Sequence, residues 1–200
     1  MPMQMWKAEK SLFRFVLFVL LAFALTFPII AAAQVETIDA TARGTSTQMG
    51  KIVSIKLLIK SYSTQEDRQT LVDAFKKGQS QGLAKALEKM KTVGQIQTPG
   101  RVGYGVAYVV SAPTPTGRKI RFVTNRKLAF GEVAQNTRST AYDLTAGEID
   151  INDQDPKQSS GTLLPAAQLT VNSEGGLTWE LNKNPWELTN IIDWKAKEKD

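Results

Sequence analysis

SYSTQEDRQTLVDAFKKGQSQGLAKALEKMKTVG, residues 61–94, is the stretch around which the chain is organised. Ser63-Thr64-Gln65-Glu66 opens it as a capping box. The Ser63 hydroxyl accepts from a first-turn N–H, and Glu66 reaches back to the cap. Leu71, Val72, Ala74 and Phe75 fall on one helical face, and Gly78 supplies a left-handed stop. Ser80 restarts a helix in which Leu83, Ala86, Leu87 and Met90 recur at helical spacing, and Gly94 ends it. The other faces carry Glu66, Asp67, Arg68, Lys76, Lys77, Lys85, Glu88, Lys89 and Lys91. Two short helices cannot bury their apolar stripes against each other alone, so the remaining chain must supply a sheet for them.

Strand patterns on both sides supply it. In Lys51–Tyr62, Val53, Ile55, Leu57 and Ile59 share one face. Thr98-Pro99-Gly100 is a turn, and the clearest hairpin follows it: Arg101–Ser111, a turn at Ala112–Gly117, and a return along Arg118–Asn125. The expected register pairs Val110 with Ile120, Tyr108 with Phe122 and Val106 with Thr124 on the inner face. Tyr104 and Tyr108 then read as core residues. Residues 125–138 are irregular, with Phe130 and Val133 as anchors. Ser139–Asn152 is a further strand, with Thr145, Ile149 and Ile151 on one side and Leu144 and Ala146 on the other. Thr162–Asn172 and Leu177–Asn182 form a second hairpin around Ser173-Glu174-Gly175-Gly176, and Trp186–Trp194 is a last strand. The expected fold is α+β: one curled, mainly antiparallel sheet or partial barrel of about six or seven strands, with one inserted helical hairpin.

The domain reading places a signal segment at residues 1–33, a flexible lead-in at 34–50, a single globular domain at 51–194 and a charged tail at 195–200. Lys7, Lys10 and Arg14 precede the apolar run Phe15–Ile30, and Ala31-Ala32-Ala33 fits a cleavage site before Gln34. The same run is long enough to anchor the chain in a membrane if retained. These features predict export to the periplasm or beyond a bacterial envelope. The 200 residues contain no cysteine and no histidine, and no Asn-x-Ser/Thr acceptor occurs. Ser-His-Asp and Cys-His catalysis, zinc sites built on these ligands and histidine-ligated haem are therefore excluded. The formal net charge of +6 includes the three basic residues of the leader, so the exported chain is only mildly basic. With no RNP-type or helix-turn-helix pattern, no nucleic-acid partner is expected. No cofactor is implied.

Three constellations carry candidate chemistry. Asp150, Asn152, Asp153 and Asp155 resemble a calcium loop, but Gln154, Asp155 and Gly161 stand where an EF-hand needs a ligand, glycine and glutamate, so the cluster reads as a solvated turn. Lys119 and Arg121 lie beside Gly103, Gly105 and Ala107 in the expected register, with Arg101, Arg118 and Lys127 near the strand ends. Glycine in a strand can mark close approach of a ligand, so Arg101, Lys119, Arg121 and Lys127 form a candidate platform for an anionic ligand; a charged solvent face, or a seat for the helices, is the structural alternative. Trp179, Trp186 and Trp194 form a candidate aromatic strip for sugar or peptide, although Trp179 shares its face with Leu177 and Leu181 and reads as core.

Ser63-Thr64-Gln65-Glu66-Asp67-Arg68, Val93-Gly94-Gln95-Ile96, Thr98-Pro99, Gly103-Tyr104 and Thr124-Asn125-Arg126 together resemble a family of uncharacterised secreted bacterial proteins. The likeness covers residues 51–130, is looser in the C-terminal third, and implies secretion and a single domain without an activity, cofactor or partner. The functional expectation is a non-catalytic envelope or extracellular protein that binds a ligand, or another envelope protein, on its sheet. The alternative is a carboxylate-dependent hydrolase or lyase, drawing on Asp143, Glu148, Asp150, Glu180, Glu187 and Asp193. It requires two carboxylates converging on one cavity.

Overall fold

The computed structural model describes residues 36–126, 144–181 and 185–194; the side chains of Thr47 and residues 179–181 are also outside the description. The expected signal segment, the anchors Phe130 and Val133, Lys127 and the charged tail lie outside the described residues. The element order is β1 (Glu36–Gly44), β2 (Ile52–Ile59), α1 (Gln65–Lys89), β3 (Gly94–Gln97), β4 (Tyr104–Thr114), β5 (Gly117–Thr124), β6 (Leu144–Asn152), β7 (Ser160–Val171), β8 (Leu177–Leu181) and β9 (Trp186–Trp194). Short 3-10 turns at Ser46–Gln48 and Pro156–Gln158 complete it.

The fold is an α+β arrangement of antiparallel strands. Nine strands occur among the described residues, in the order β6-β5-β4-β3-β2-β1-β9-β7-β8, and β6 also pairs with β7. That second pairing closes all strands but β8 into an antiparallel barrel, which removes the open edges a partial barrel would leave. The twelve-residue β7 makes closure possible by splitting its partners. Gly161–Leu163 pairs with β9, whereas Ala167–Val171 pairs with β8.

Two strands were not legible. Residues 34–50, expected as a flexible lead-in, contain β1, which pairs with β2 along Glu36–Arg43 and with β9 on its other side. Gly94–Gln97, between the expected helix end at Gly94 and the turn at Thr98-Pro99-Gly100, is the short β3 bridging β2 and β4.

Among the described residues the barrel interior holds a large buried apolar cluster. Ile38, Ile55, Leu57, Ile59, Ile96, Val109, Phe122, Ile149, Leu163 and Trp186 belong to one buried cluster. Phe122 lies directly across from Gly147, and a Cβ at Gly147 would overlap the phenyl ring. The glycine is therefore the space that admits the ring. A second core lies outside the barrel, where Leu71, Leu83 and Leu87 of α1 pack on Tyr108, Val123, Ala146, Leu164 and Leu169.

The sheet the helical region required is thus the outer face of β4–β7. Two local expectations are corrected there. The cap is Thr64, whose hydroxyl accepts from Asp67 N–H while the Asp67 carboxylate accepts from Thr64 N–H at 2.8 Å. Ser63 instead ties the chain to β4: its N–H donates to Val109 O at 2.7 Å, and its hydroxyl accepts from Val109 N–H. The break inside the helical region falls at Gly78-Gln79, but the positive φ belongs to Gln79 (φ 51) rather than Gly78 (φ −146).

The β4–β5 register is also corrected. Val106 pairs with Thr124 as expected, but a bulge before Tyr108 shifts the rest, so Tyr108 faces Val123, Val109 faces Phe122 and Val110 faces Arg121. One extra residue inverts the parity of everything beyond it. Val109 therefore enters the barrel, and Tyr108 and Val110 move to the outer face. The hairpin turn is Pro115-Thr116 alone, since Thr114 pairs with Gly117.

Candidate functional site

Of the candidate cations, Lys119 and Arg121 stand together and Arg101 stands apart from them. Lys119 and Arg121 alternate with Ile120 and Phe122, which point inward, so both reach the outer face of β5. Their neighbour is β6, where Arg121 pairs with Glu148 and Lys119 with Asp150 in register. Lys119 Nζ donates to Glu148 Oε1 at 2.7 Å and lies 3.4 Å from Asp150 Oδ2, while Arg121 Nε donates to Glu148 Oε2 at 2.6 Å. Two cations thus stand against two carboxylates. The hydrogen bond to Glu148 raises the Lys119 ammonium above its ordinary pKa. Burial pushes the Glu148 carboxyl up, but hydrogen bonds from Lys119 and Arg121 outweigh it and hold it below the ordinary carboxylate value.

The expected glycine strip is occupied by the chain itself. A Cβ on Gly103 would meet the Gln95 side chain, and one on Gly105 would meet Thr92 at 3.2 Å. Arg101 stands apart, on the wall of a groove formed by β1, β2 and the turn after β3. Lys127 lies outside the described residues.

What Arg121 does join is a cleft of about 310 Å³ between the start of α1, β4–β5 and the β7–β8 hairpin. Its floor is Val110, Val123, Leu169 and Leu177, with Tyr108 beside them, and Arg68 is the second guanidinium in the wall. Arg68 Nη2 donates to Gly175 O at 2.7 Å, which pins the helix start to the β7–β8 turn. That turn depends on glycine, because Gly175 has φ 74. Burial raises the Tyr108 phenol above its ordinary pKa, so its hydroxyl is a proton donor at neutral pH. The cleft joins an apolar surface to two cationic side chains on facing elements, a geometry that can hold an apolar body by one end. Arg68 escaped the sequence reading because its partner is 107 residues away.

Of the carboxylates on which the hydrolase reading drew, Asp193 joins a cluster at one end of the barrel, Glu148 and Asp150 lie on the outer face with Lys119 and Arg121, Glu187 is exposed, and Asp143 and the Glu180 side chain lie outside the described residues. Glu36, Arg118 and Asp193 share the inward parity of β1, β5 and β9, and Arg118 Nη2 donates to Glu36 Oε1 at 2.6 Å and to Asp193 Oδ2. Tyr62 donates to the other Glu36 oxygen at 2.7 Å. Burial, then the hydrogen bond to Glu36, raises the Tyr62 phenol well above its ordinary pKa. Burial lowers the Arg118 guanidinium, but the charges of Glu36 and Asp193 outweigh it and leave it raised. Both carboxylates are bound to a permanent cation. The cluster thus ties the first, last and central strands together.

In the acidic turn, Asn152 Oδ1 accepts from Gln154 and Asp155 N–H, and Asp155 caps the 3-10 turn through Lys157 N–H. Of the three tryptophans, Trp186 is buried in the barrel, Trp194 is 57% exposed, and the Trp179 side chain is outside the described residues. Compared with family models, with curated proteins and with solved structures, the chain matches none of them.

Proposed function

We propose that the chain is a non-catalytic binding protein of a bacterial envelope, exported by its N-terminal segment, which holds an anionic ligand with an apolar body in the Arg68–Arg121 cleft. The observation that carries this reading is the cleft itself. Val110, Val123, Leu169 and Leu177 offer apolar area, and the Arg68 guanidinium stands in the wall as the cation for a carboxylate, with Arg121, bridged to Glu148, beside it. Its volume, about 310 Å³, lies at the small end of the range for ligand sites. Because a buried apolar cluster occupies the barrel interior, the ligand belongs on the outer face of the sheet, beside the helical region.

The direct test is calorimetric titration of the protein with decanoate and, in parallel, with decanol. Decanoate is expected to bind saturably, and decanol at least about tenfold more weakly, the loss of one charge-assisted contact. Arg68→Gln is expected to reduce decanoate affinity by a similar factor while leaving decanol unchanged. Equal binding of both probes, or of neither, would overturn the assignment. The export half of the reading is tested by intact mass: protein recovered from the periplasm should begin at Gln34.

A further inference from the structure

The outer face of β9, β1 and β2 lies away from the strands on which α1 packs, and it holds a second, larger concavity of about 600 Å³. Its lining mixes apolar surface with the polar side chains of Asp39 and Thr41 of β1, Ser54 and Lys56 of β2 and Gln97 of β3, and the Thr98–Arg101 turn is one wall. The opposite wall is β9, through Asn190 and Ile192. Between Asp39 and Thr41 the register with β9 slips, so that Asn190 and Ile191 stand opposite Ala40 alone. At this bulge Asn190 takes φ 50, a conformation non-glycine residues rarely adopt, and its side chain is carried into the groove wall. Two residues beyond Ile192, at the margin of the groove rather than in its lining, stands Trp194. Its indole Nε1 donates to Asp39 Oδ2 at 2.9 Å, and Asp39 is in turn 3.6 Å from Lys56 Nζ. More than half of the side chain remains exposed although its one polar atom is already held.

From these features we infer that this groove is a site for a neutral oligosaccharide, with Trp194 as the stacking platform for one sugar ring. A pyranose has an apolar C–H face and a rim of hydroxyls that both donate and accept. The first calls for a flat, oriented aromatic surface; the second calls for amides and hydroxyls rather than bare charges. Trp194 supplies the surface, and its bond to Asp39 fixes the plane before a ligand arrives, which reduces the ordering cost of binding. Asn190 and Gln97 supply amides, and Thr41 and Ser54 supply hydroxyls, on both sides of Asp39. The Asp39–Lys56 pair balances charge at the centre of the floor, which suits an uncharged ligand, and Arg101 in the wall is a donor to hydroxyls at its edge. The groove and the Arg68 cleft share no lining residue, so this site stands independently of the decanoate site.

The test is nuclear magnetic resonance on the ¹⁵N-labelled protein, with the Trp194 indole signal assigned by its loss in Trp194→Phe. Chitotetraose, cellotetraose and maltotetraose are titrated separately to millimolar concentration. At least one is expected to shift the Trp194 indole and the Asn190 and Thr41 amides saturably, and Trp194→Ala should weaken that sugar about tenfold. The exposed position of Trp194 means this variant should keep the dispersed wild-type spectrum and its decanoate affinity. No shift at these three positions with any of the sugars would overturn the inference, as would unchanged sugar affinity in Trp194→Ala.

Discussion

Replacing Arg118 by alanine should be among the most damaging single substitutions in the barrel. The guanidinium side chain is 18% exposed, and its two carboxylate partners, Glu36 and Asp193, are 13% and 11% exposed. Removing the cation leaves two acids facing each other at the end of the barrel with most of their hydration already lost. Breaking a buried pair in this way costs about 3–5 kcal/mol, and residual solvent contact sets the expectation near the lower bound, about 3 kcal/mol. The assay is urea unfolding at neutral pH, followed by tryptophan fluorescence, which Trp186 reports from inside the barrel. The combined variant Arg118→Met, Glu36→Gln, Asp193→Asn separates charge from packing. Its three side chains keep their bulk and lose their charges, so it should return to within about 1 kcal/mol of the wild type. Arg118 Nε is also buried without a partner among the described residues, so the native cluster itself carries an unsatisfied donor that methionine removes. A cost below about 1 kcal/mol for Arg118→Ala would put the cluster in the class of exposed ion pairs. A triple variant as unstable as the single one would mean that the arginine acts through its packed stem and not through its charge.

Three further outcomes follow from the same geometry. Glu148→Gln should cost no more than about 1 kcal/mol at neutral pH, because the pairs it breaks are partly solvated. The native Glu148 pKa lies below the unfolded value, so its contribution is present above about pH 4.3 and is lost as pH falls through the lower native value; a wild-type-to-variant gap that stays constant down to pH 2 would refute this. Gly147→Ala should cost about 2 kcal/mol, because the new methyl overlaps the Phe122 ring, and adding Phe122→Leu should recover part of that in a chemical melt. Tyr62 holds its proton more tightly in the native than in the unfolded chain, so its contribution is intact below about pH 10 and is lost as pH rises further. Thermal midpoints above pH 10 should therefore fall more steeply for the wild type than for Tyr62→Phe, and parallel curves would count against the hydrogen bond to Glu36.

Legibility in the sequence followed the strength of local periodicity. β2, β6 and β9 were readable because Val53-x-Ile55-x-Leu57-x-Ile59 and Thr145, Ile149 and Ile151 repeat at the strand period, and because Asn184-Pro185 punctuates the chain before Trp186. β1 was not, since its inward positions beyond Ile38 are Ala40 and Ala42, alternating with Asp39, Thr41 and Arg43, a small polar run that reads as loop. Small residues suffice there because Trp186 and Phe122 fill the same interior cluster. The parity of the β4–β5 hairpin was legible up to Val106, but nothing in Ala107-Tyr108-Val109 distinguishes a bulge from a regular strand. Lys119 and Arg121 were found, yet their neutralisation was invisible, because Glu148 reaches them only after β6 docks on β5. Secretion and ligand binding rest on the leader pattern and on the cleft respectively, and neither follows from the closed sheet alone.

Closure has a consequence for where binding can occur. An antiparallel barrel of this strand number can keep a cavity for one small ligand or fill its interior with side chains. Here Phe122, Trp186 and eleven isoleucines and leucines of the described residues occupy it, one end is tied by the Arg118 cluster, and Gly147 makes room for a ring. The proposed recognition is therefore assigned to the exterior, where α1 divides the sheet into a covered half and an open half. The covered half ends at the helix margin in an apolar cleft with cations, because a helix resting on a twisted sheet leaves a wedge at its end. The open half carries polar rows on β1 and β2, and the bulge in β9 turns Asn190 and the exposed Trp194 toward them. A stable interior and two chemically different outer concavities are therefore products of the same closure, and mutations that empty the barrel, such as Phe122→Ala, should destabilise the chain without creating affinity for decanoate.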